Sequence, residues 1–114
     1  MLTFPAIAVL PAITTTTLTL GLTHANTYLR FTNASGCTVT VDTQSSVGWV
    51  PFTEVHLRDE TGLGTHGITV TSNSPAVING VTSRVNATAV NGATLFLKNV
   101  ATDSWDLGGH LAIT

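Results

Sequence analysis

The sequence predicts an all-β fold, a compact antiparallel β-sandwich or barrel-like domain with an extended N-terminal arm. The first observation is composition: 22 of the 114 residues are threonine, and threonine, valine and glycine favour pleated strands and turns. The second observation is pattern, because apolar and polar residues alternate in short runs spaced about ten residues apart, as in successive half-buried strands. A chain of this length forms a single domain.

The first 13 residues differ from the rest and are predicted to be the arm, with residues 14–114 forming the β-domain. The arm is apolar, but Pro5 and Pro11 interrupt any helix and push the residues before them towards extended geometry. It lacks the basic start of a signal peptide, and it is too short to span a bilayer. Its apolar side chains need a surface, which either a neighbouring subunit or the chain's own sheet supplies.

The strands are predicted from alternating apolar residues, at positions 18–22, 29–31, 39–41, 55–57, 68–70 and 95–97. Between residues 87–90 and 94–97, Asn91-Gly92 predicts a β-hairpin, because this pair supplies the positive φ angles of a type I′ turn. No window carries a 3.6-residue period, so no helix longer than two turns is expected.

Charge is scarce, at 9% of residues, with four Lys+Arg and a net charge of −2. No basic cluster is present to bind nucleic acid or an anionic membrane surface, so neither is expected as a partner. A small soluble monomer needs more surface charge than this. The low charge therefore predicts a subunit that other subunits partly cover.

Reactive groups are few and scattered. The single cysteine, Cys37, alternates with Val39 and Val41, which predicts a buried small hydrophobe. The four histidines lie ten or more residues apart and lack metal-ligand spacing; they are His24, His56, His66 and His110. His56 is predicted on the polar face of a strand, and His66 in a loop.

The acidic residues do not form an evident catalytic pair either. Asp59-Glu60 precedes Thr-Gly and is predicted to be a turn, and Asp103 is predicted to cap one. No nucleophile or phosphate-binding motif occurs. Trp49 and Trp105 are isolated and are predicted to be anchors in the core or at an interface, and 6% aromatic residues disfavour a carbohydrate platform of stacked rings. The sequence therefore predicts neither an enzyme nor a cofactor or metal site.

Several segments, taken in order, resemble a known module. They are Tyr-Leu-Arg-Phe-Thr-Asn-Ala-Ser at 28–35, Thr-Val-Thr-Val at 38–41, Glu-Val-His-Leu-Arg at 54–58, Gly-Ile-Thr-Val at 67–70, and Asp-Ser-Trp-Asp-Leu-Gly-Gly-His-Leu-Ala at 103–112. Together they resemble a small β-module of structural proteins in tailed bacteriophages, over about residues 18–112. The resemblance implies a role in the virion, often in tail fibres or appendages, and typically as a trimer.

Only a short arm precedes the module, which favours a capsid decoration (cement) protein over a fibre. Such a protein is expected on the capsid exterior as a homotrimer that binds the major capsid protein and resists internal pressure. The contact residues are predicted in the arm and the strand that continues it, and they are Phe4, Ile7, Val9, Leu10, Leu18 and Leu20.

Two other functions stay open. A tail-fibre or receptor-binding module would present the loops at 59–67 and 72–79 to host surface glycans. A small secreted β-sandwich adhesin would instead have a cleaved N-terminus.

Overall fold

The computed structural model describes residues 8–113, which form eleven strands, a one-turn α-helix and a short 3-10 helix. The strands are β1 (Ala8–Val9), β2 (Thr17–Leu20), β3 (Thr27–Phe31), β4 (Cys37–Val41), β5 (Glu54–Asp59), β6 (Ile68–Ser72), β7 (Val77–Asn79), β8 (Arg84–Thr88), β9 (Thr94–Ala101), β10 (Ser104–Gly109) and β11 (Leu111–Ile113). The 3-10 helix is Leu22–His24 and α1 is Gln44–Val47. The predicted all-β fold is confirmed.

The strands form two mixed sheets, and the antiparallel arrangement expected from the sequence is wrong in part. The six-stranded sheet has the order β1-β3-β5-β9-β10-β7, and the five-stranded sheet has the order β11-β8-β6-β4-β2. Along β1 to β6 the chain alternates between the two sheets. Strands two apart in sequence are parallel neighbours, as in β1-β3-β5 and β2-β4-β6.

The hairpin predicted at Asn91-Gly92 is also wrong. This turn joins β8 to β9, which lie in different sheets. Gly92 has a positive φ of 93°, and its N–H donates to the carbonyl of Asp59, while the Asn91 side chain accepts from the Gly62 N–H. A tight hairpin joins β9 to β10 instead, and Asp103 provides its left-handed residue at a φ of 53°.

The core lies between the sheets and is filled by alternate residues of the strands. Cys37, Val39 and Val41 all face inward and are buried, as the alternation predicted. Near one end of the core, the rings of Trp49 and Trp105 meet edge to face, with centroids 4.9 Å apart. Fully burying one aliphatic or aromatic side chain contributes about 1.5–3 kcal/mol, so these contacts dominate stability.

On three strands of the five-stranded sheet, the outward positions form a regular array of threonines, which we call the threonine face. Parallel register places them in two rows of three across β2, β4 and β6: Thr17, Thr38 and Thr69, and Thr19, Thr40 and Thr71. The hydroxyls of Thr40 and Thr71 are 3.2 Å apart and share a hydrogen bond. Six of the 22 threonines thus lie together on one outward, uncharged part of this sheet.

The described part of the arm lies along the chain's own sheet. Ala8 and Val9 pair with β3, the Ile13 N–H donates to the Arg30 carbonyl at 2.7 Å, and the Ile13 carbonyl accepts from Thr32 at 3.0 Å. Of the two surfaces that the sequence left open for the arm, residues 8–13 use their own domain.

Candidate functional site

Of the predicted contact residues, the four that the structure describes differ in exposure and do not form one surface. Val9 is 66% exposed, whereas Leu10 and Leu18 are partly buried against the core. Leu20 is 1% exposed and belongs to the core, so its side chain is unavailable for the contact that the sequence suggested. Phe4 and Ile7 lie outside the described residues.

Val9 begins a row of side chains that crosses the outer face of the six-stranded sheet. Strand register aligns Val9 with Tyr28, Tyr28 with His56, and His56 with Phe96, on β1, β3, β5 and β9. Residues paired in register point to the same side of a sheet. We call Val9, Tyr28, His56 and Phe96 the outer row.

The ring of Phe96 lies over a glycine at the end of the outer row. Gly108 pairs with Phe96 across β9 and β10, and a Cβ atom at Gly108 would collide with the ring carbons. The ring therefore occupies the space above the Gly108 backbone, and Phe96 remains 40% exposed. An aromatic ring placed over a glycine in this way is a broad apolar contact surface.

Most of the chain's basic residues flank the outer row. Arg30 and Arg58 are register partners on one side, and Lys98 pairs with Glu54 and Asp106 on the other. The sequence contains four Lys+Arg, so three of them lie on this face. The flanking ion pairs Arg30–Glu60 and Lys98–Glu54 both measure 3.7 Å. The six-stranded sheet thus carries aromatic and charged side chains on its outer side, whereas β2, β4 and β6 of the other sheet carry threonines.

Asp59 has an environment that the sequence did not predict. It is the last residue of β5 rather than a surface turn, and it is 0% exposed. Its Oδ1 accepts from the N–H and hydroxyl of Thr61 at 3.0 and 2.7 Å, and its Oδ2 accepts from the Thr88 hydroxyl at 2.6 Å. With these donors in place the carboxylate is a structural group linking loop and sheets. In the sequence, the nearby threonine Thr61 was the one local indication that the Asp59 carboxylate could be hydrogen-bonded, because its other hydroxyl donor, Thr88, is distant in the chain.

The cysteine thiol is unsuited to nucleophilic chemistry. Burial raises the pKa of Cys37 to about 11, so the thiol stays protonated at neutral pH. Within residues 8–113, no group of three or more His, Cys, Asp and Glu side chains is placed to hold a metal ion. No helix in this part of the chain is both long and apolar enough to cross a membrane.

A cleft opens beside the Trp49–Trp105 pair, near the β9–β10 hairpin. It has a volume of about 300 Å³ and is lined by Gln44, Trp49, Pro51, Asn99, Ala101 and Thr102. Asn99 is the buried polar residue of this lining, at 3% exposure. We call this feature the tryptophan cleft. Sequence reasoning assigned Trp49 to the core or an interface and did not anticipate the cleft.

Comparison of the chain with protein-family models, curated proteins and solved structures yields no match. Functional assignment therefore depends on the outer row, the threonine face and the tryptophan cleft themselves.

Proposed function

We propose that this chain is a structural protein of a tailed-bacteriophage virion, a capsid decoration protein that binds the shell from outside. Its role is mechanical and non-catalytic: it covers seams between subunits of the major capsid protein and stabilises them. The proposal joins the sequence resemblance to one structural observation, the outer row with its flanking charges.

The outer row has the composition of a protein contact. Tyrosine, phenylalanine and arginine are enriched at protein interfaces, where an aromatic anchor is surrounded by polar groups. Phe96 is such an anchor, and Arg58 and Lys98 lie in the rows beside it. Val9 extends the apolar strip to the edge of the sheet. We assign capsid contact to this face and outward exposure to the threonine face.

The proposed assembly is a homotrimer, so that three outer rows engage the shell together. Each anchoring aromatic contributes about 2 kcal/mol to binding in a typical interface. Linking three weak contacts in one particle raises the overall affinity far above that of a single contact. Light scattering on the purified chain tests this directly: the expected mass is that of a trimer, and a monomeric mass at micromolar concentration contradicts it.

The capsid assignment is tested by binding the purified chain to undecorated capsids of the phage that encodes it. We expect saturable binding at hundreds of copies per particle and a loss of binding in Phe96→Ser. Phe52→Asn is the matched control, because Phe52 is also an exposed phenylalanine but lies outside the outer row. The function is wrong if wild-type protein does not bind. The assigned face is wrong if Phe96→Ser binds as well as wild type.

A second candidate is a receptor-binding module of a tail fibre that contacts host surface glycans. The tryptophan cleft favours it, because a concave site with apolar and amide side chains suits a small ligand. The loop at 59–67, which the sequence predicts for this role, begins with Asp59 and Thr61. Both residues are buried, and the Thr61 hydroxyl donates to the Asp59 carboxylate. A copy number of a few per virion would favour the fibre.

A further inference from the structure

The tryptophan cleft has no charged lining residue. Its apolar lining includes Pro51 and the 3% of Trp49 that is exposed, and its polar lining groups are the amides of Gln44 and Asn99 and the hydroxyl of Thr102. A cleft of this kind does not compensate the charge of a phosphate, a carboxylate or an ammonium group. The cleft is therefore suited to an uncharged group, and a volume of about 300 Å³ has room for one small unit.

Asn99 places a free acceptor at the cleft. Its Nδ2 donates to the carbonyls of Ala101 and Ser104 at 3.0 and 3.3 Å, and its backbone N–H donates to the Thr53 carbonyl. Its Oδ1 accepts no hydrogen bond from the described part of the chain and keeps some exposure to solvent. A buried amide whose donors are committed offers its oxygen to a ligand hydroxyl or N–H.

Gln44 provides a second acceptor in the same way. Its Nε2 donates to the Trp49 carbonyl at 2.9 Å, and its backbone N–H donates to Asp103. The side-chain donor is thus held by the protein while the amide oxygen stays available. Two fixed acceptors beside an apolar wall select a ligand with several donors and one apolar face.

The turn that follows the lining residue Pro51, which we call the rim, is held in an unusual conformation. Phe52 is 65% exposed and has a φ of 66°, in the left-handed region that favours glycine or asparagine. The N–H and the hydroxyl of Thr53 both donate to the Val50 carbonyl and fix this turn. Such backbone strain costs about 1–3 kcal/mol and is concentrated at functional sites. The turn keeps the Phe52 ring in solvent, one residue along the chain from the lining residue Pro51.

We propose that the tryptophan cleft binds one uncharged sugar residue, such as a terminal hexose or N-acetylhexosamine of a glycan. The sugar's hydroxyls would donate to the amide oxygens of Asn99 and Gln44, and its C–H face would pack on Pro51 and the adjoining ring of Phe52. This inference is independent of the capsid contact, because the cleft and the outer row share no residue. It also supplies the second candidate function with a specific site.

The test is a titration of the full chain with methyl glycosides of glucose, galactose, mannose and N-acetylglucosamine, followed by saturation-transfer NMR and tryptophan fluorescence. We expect saturable millimolar binding of at least one of them and weaker binding of N-acetylneuraminic acid, which is charged. Phe52→Asn preserves the left-handed turn and should weaken binding by roughly tenfold. Phe96→Ser is the matched control and should bind sugar like wild type.

Three results would overturn the inference: saturable binding of none of the four glycosides, preference for the charged sugar, or an equal loss in Phe52→Asn and Phe96→Ser. Thermal denaturation of each variant establishes that it is folded before titration. A second variant, Thr102→Val, removes a lining hydroxyl without touching the rim and is expected to weaken binding too. Because the capsid assay depends on Phe96 and the sugar assay on Phe52, each can fail without the other.

Discussion

The hydroxyl of Thr88 donates a 2.6 Å hydrogen bond to Oδ2 of Asp59, and this contact joins the two sheets through their interior. The same hydroxyl accepts from the Ile68 N–H at 3.0 Å, so one threonine satisfies a buried carboxylate and a buried backbone donor. Both side chains are 0% exposed. Buried polar groups are expensive to leave unpaired, which makes this pair sensitive to substitution.

Thr88→Val tests the link between the sheets. The new side chain has nearly the same shape but cannot donate to Asp59 or accept from Ile68, so two buried groups lose a partner. We expect the free energy of unfolding to fall by about 3 kcal/mol in chemical denaturation. Thr38→Val, on the threonine face, is the control and should change stability by less than about 0.5 kcal/mol. Equal effects of the two substitutions would contradict a special role for Thr88.

Gly67→Ala tests the packing around the same carboxylate. A Cβ atom at Gly67 would collide with both carboxylate oxygens of Asp59 and with the Thr61 hydroxyl. Because these atoms are hydrogen-bonded and buried, they cannot move aside, and we expect a loss of about 3 kcal/mol. Gly64→Ala is the matched control, since nothing lies within 4 Å of a Cβ there. Urea midpoints of the two variants should differ clearly; similar midpoints would be inconsistent with the close approach.

Gly108→Ala tests the position of the Phe96 ring. The added methyl group would occupy the space of the ring carbons, and the exposed ring can swing towards solvent to relieve the clash. We expect a stability change below about 1 kcal/mol but impaired binding to capsids, as in Phe96→Ser. Full capsid binding by a folded Gly108→Ala protein would show that the ring's placement is irrelevant.

His24 makes stability depend on pH. Burial lowers its pKa from the ordinary value of 6.5, and its Nδ1 accepts the Gly21 N–H at 2.9 Å, which requires an unprotonated nitrogen. Below pH 6.5 the unfolded chain binds the proton more readily than the folded chain. The stabilisation that neutral His24 gives the folded chain is therefore complete above pH 6.5 and is lost as pH falls towards the lowered pKa. His24→Gln should flatten the pH dependence of the unfolding midpoint between pH 7 and 5; an unchanged slope would refute the assignment.

Cys37 should resist alkylation in the native protein. Burial raises the pKa of Cys37 to about 11 and leaves its side chain 4% exposed. At pH 8 the thiol is therefore protonated and out of reach of an alkylating reagent. We expect iodoacetamide to label the denatured chain completely and the folded chain only at its unfolding rate, as measured by intact mass. Rapid labelling of folded protein would disprove burial of the thiol.

Local sequence predicted several strands well and their partners poorly. Alternation around Val39 and Val55 identifies β4 and β5, because one buried face imposes a period of two. The turn at Asn91-Gly92 was identified, but turn residues do not determine which sheet the next strand joins. Parallel pairing depends on partners distant in sequence, so no local pattern reports it.

The candidate sites were harder to predict for the same reason. Tyr28, His56 and Phe96 are widely separated in the chain and become neighbours only through register. The cleft likewise requires Trp49 and Asn99 to meet across the fold. A sparse aromatic composition disfavoured a platform, yet composition carries no information about clustering.

The alternation of β1 to β6 between the sheets has a consequence for how the chain folds. Because none of these strands pairs with its immediate successor, Thr17 reaches its partner Thr38 only after a loop of about twenty residues has closed. The β9–β10 hairpin is the local pairing available to an unfolded chain with no such delay. We therefore expect refolding on the slow millisecond-to-second scale of non-local β-proteins, with the C-terminal hairpin forming first and the N-terminal strands joining last.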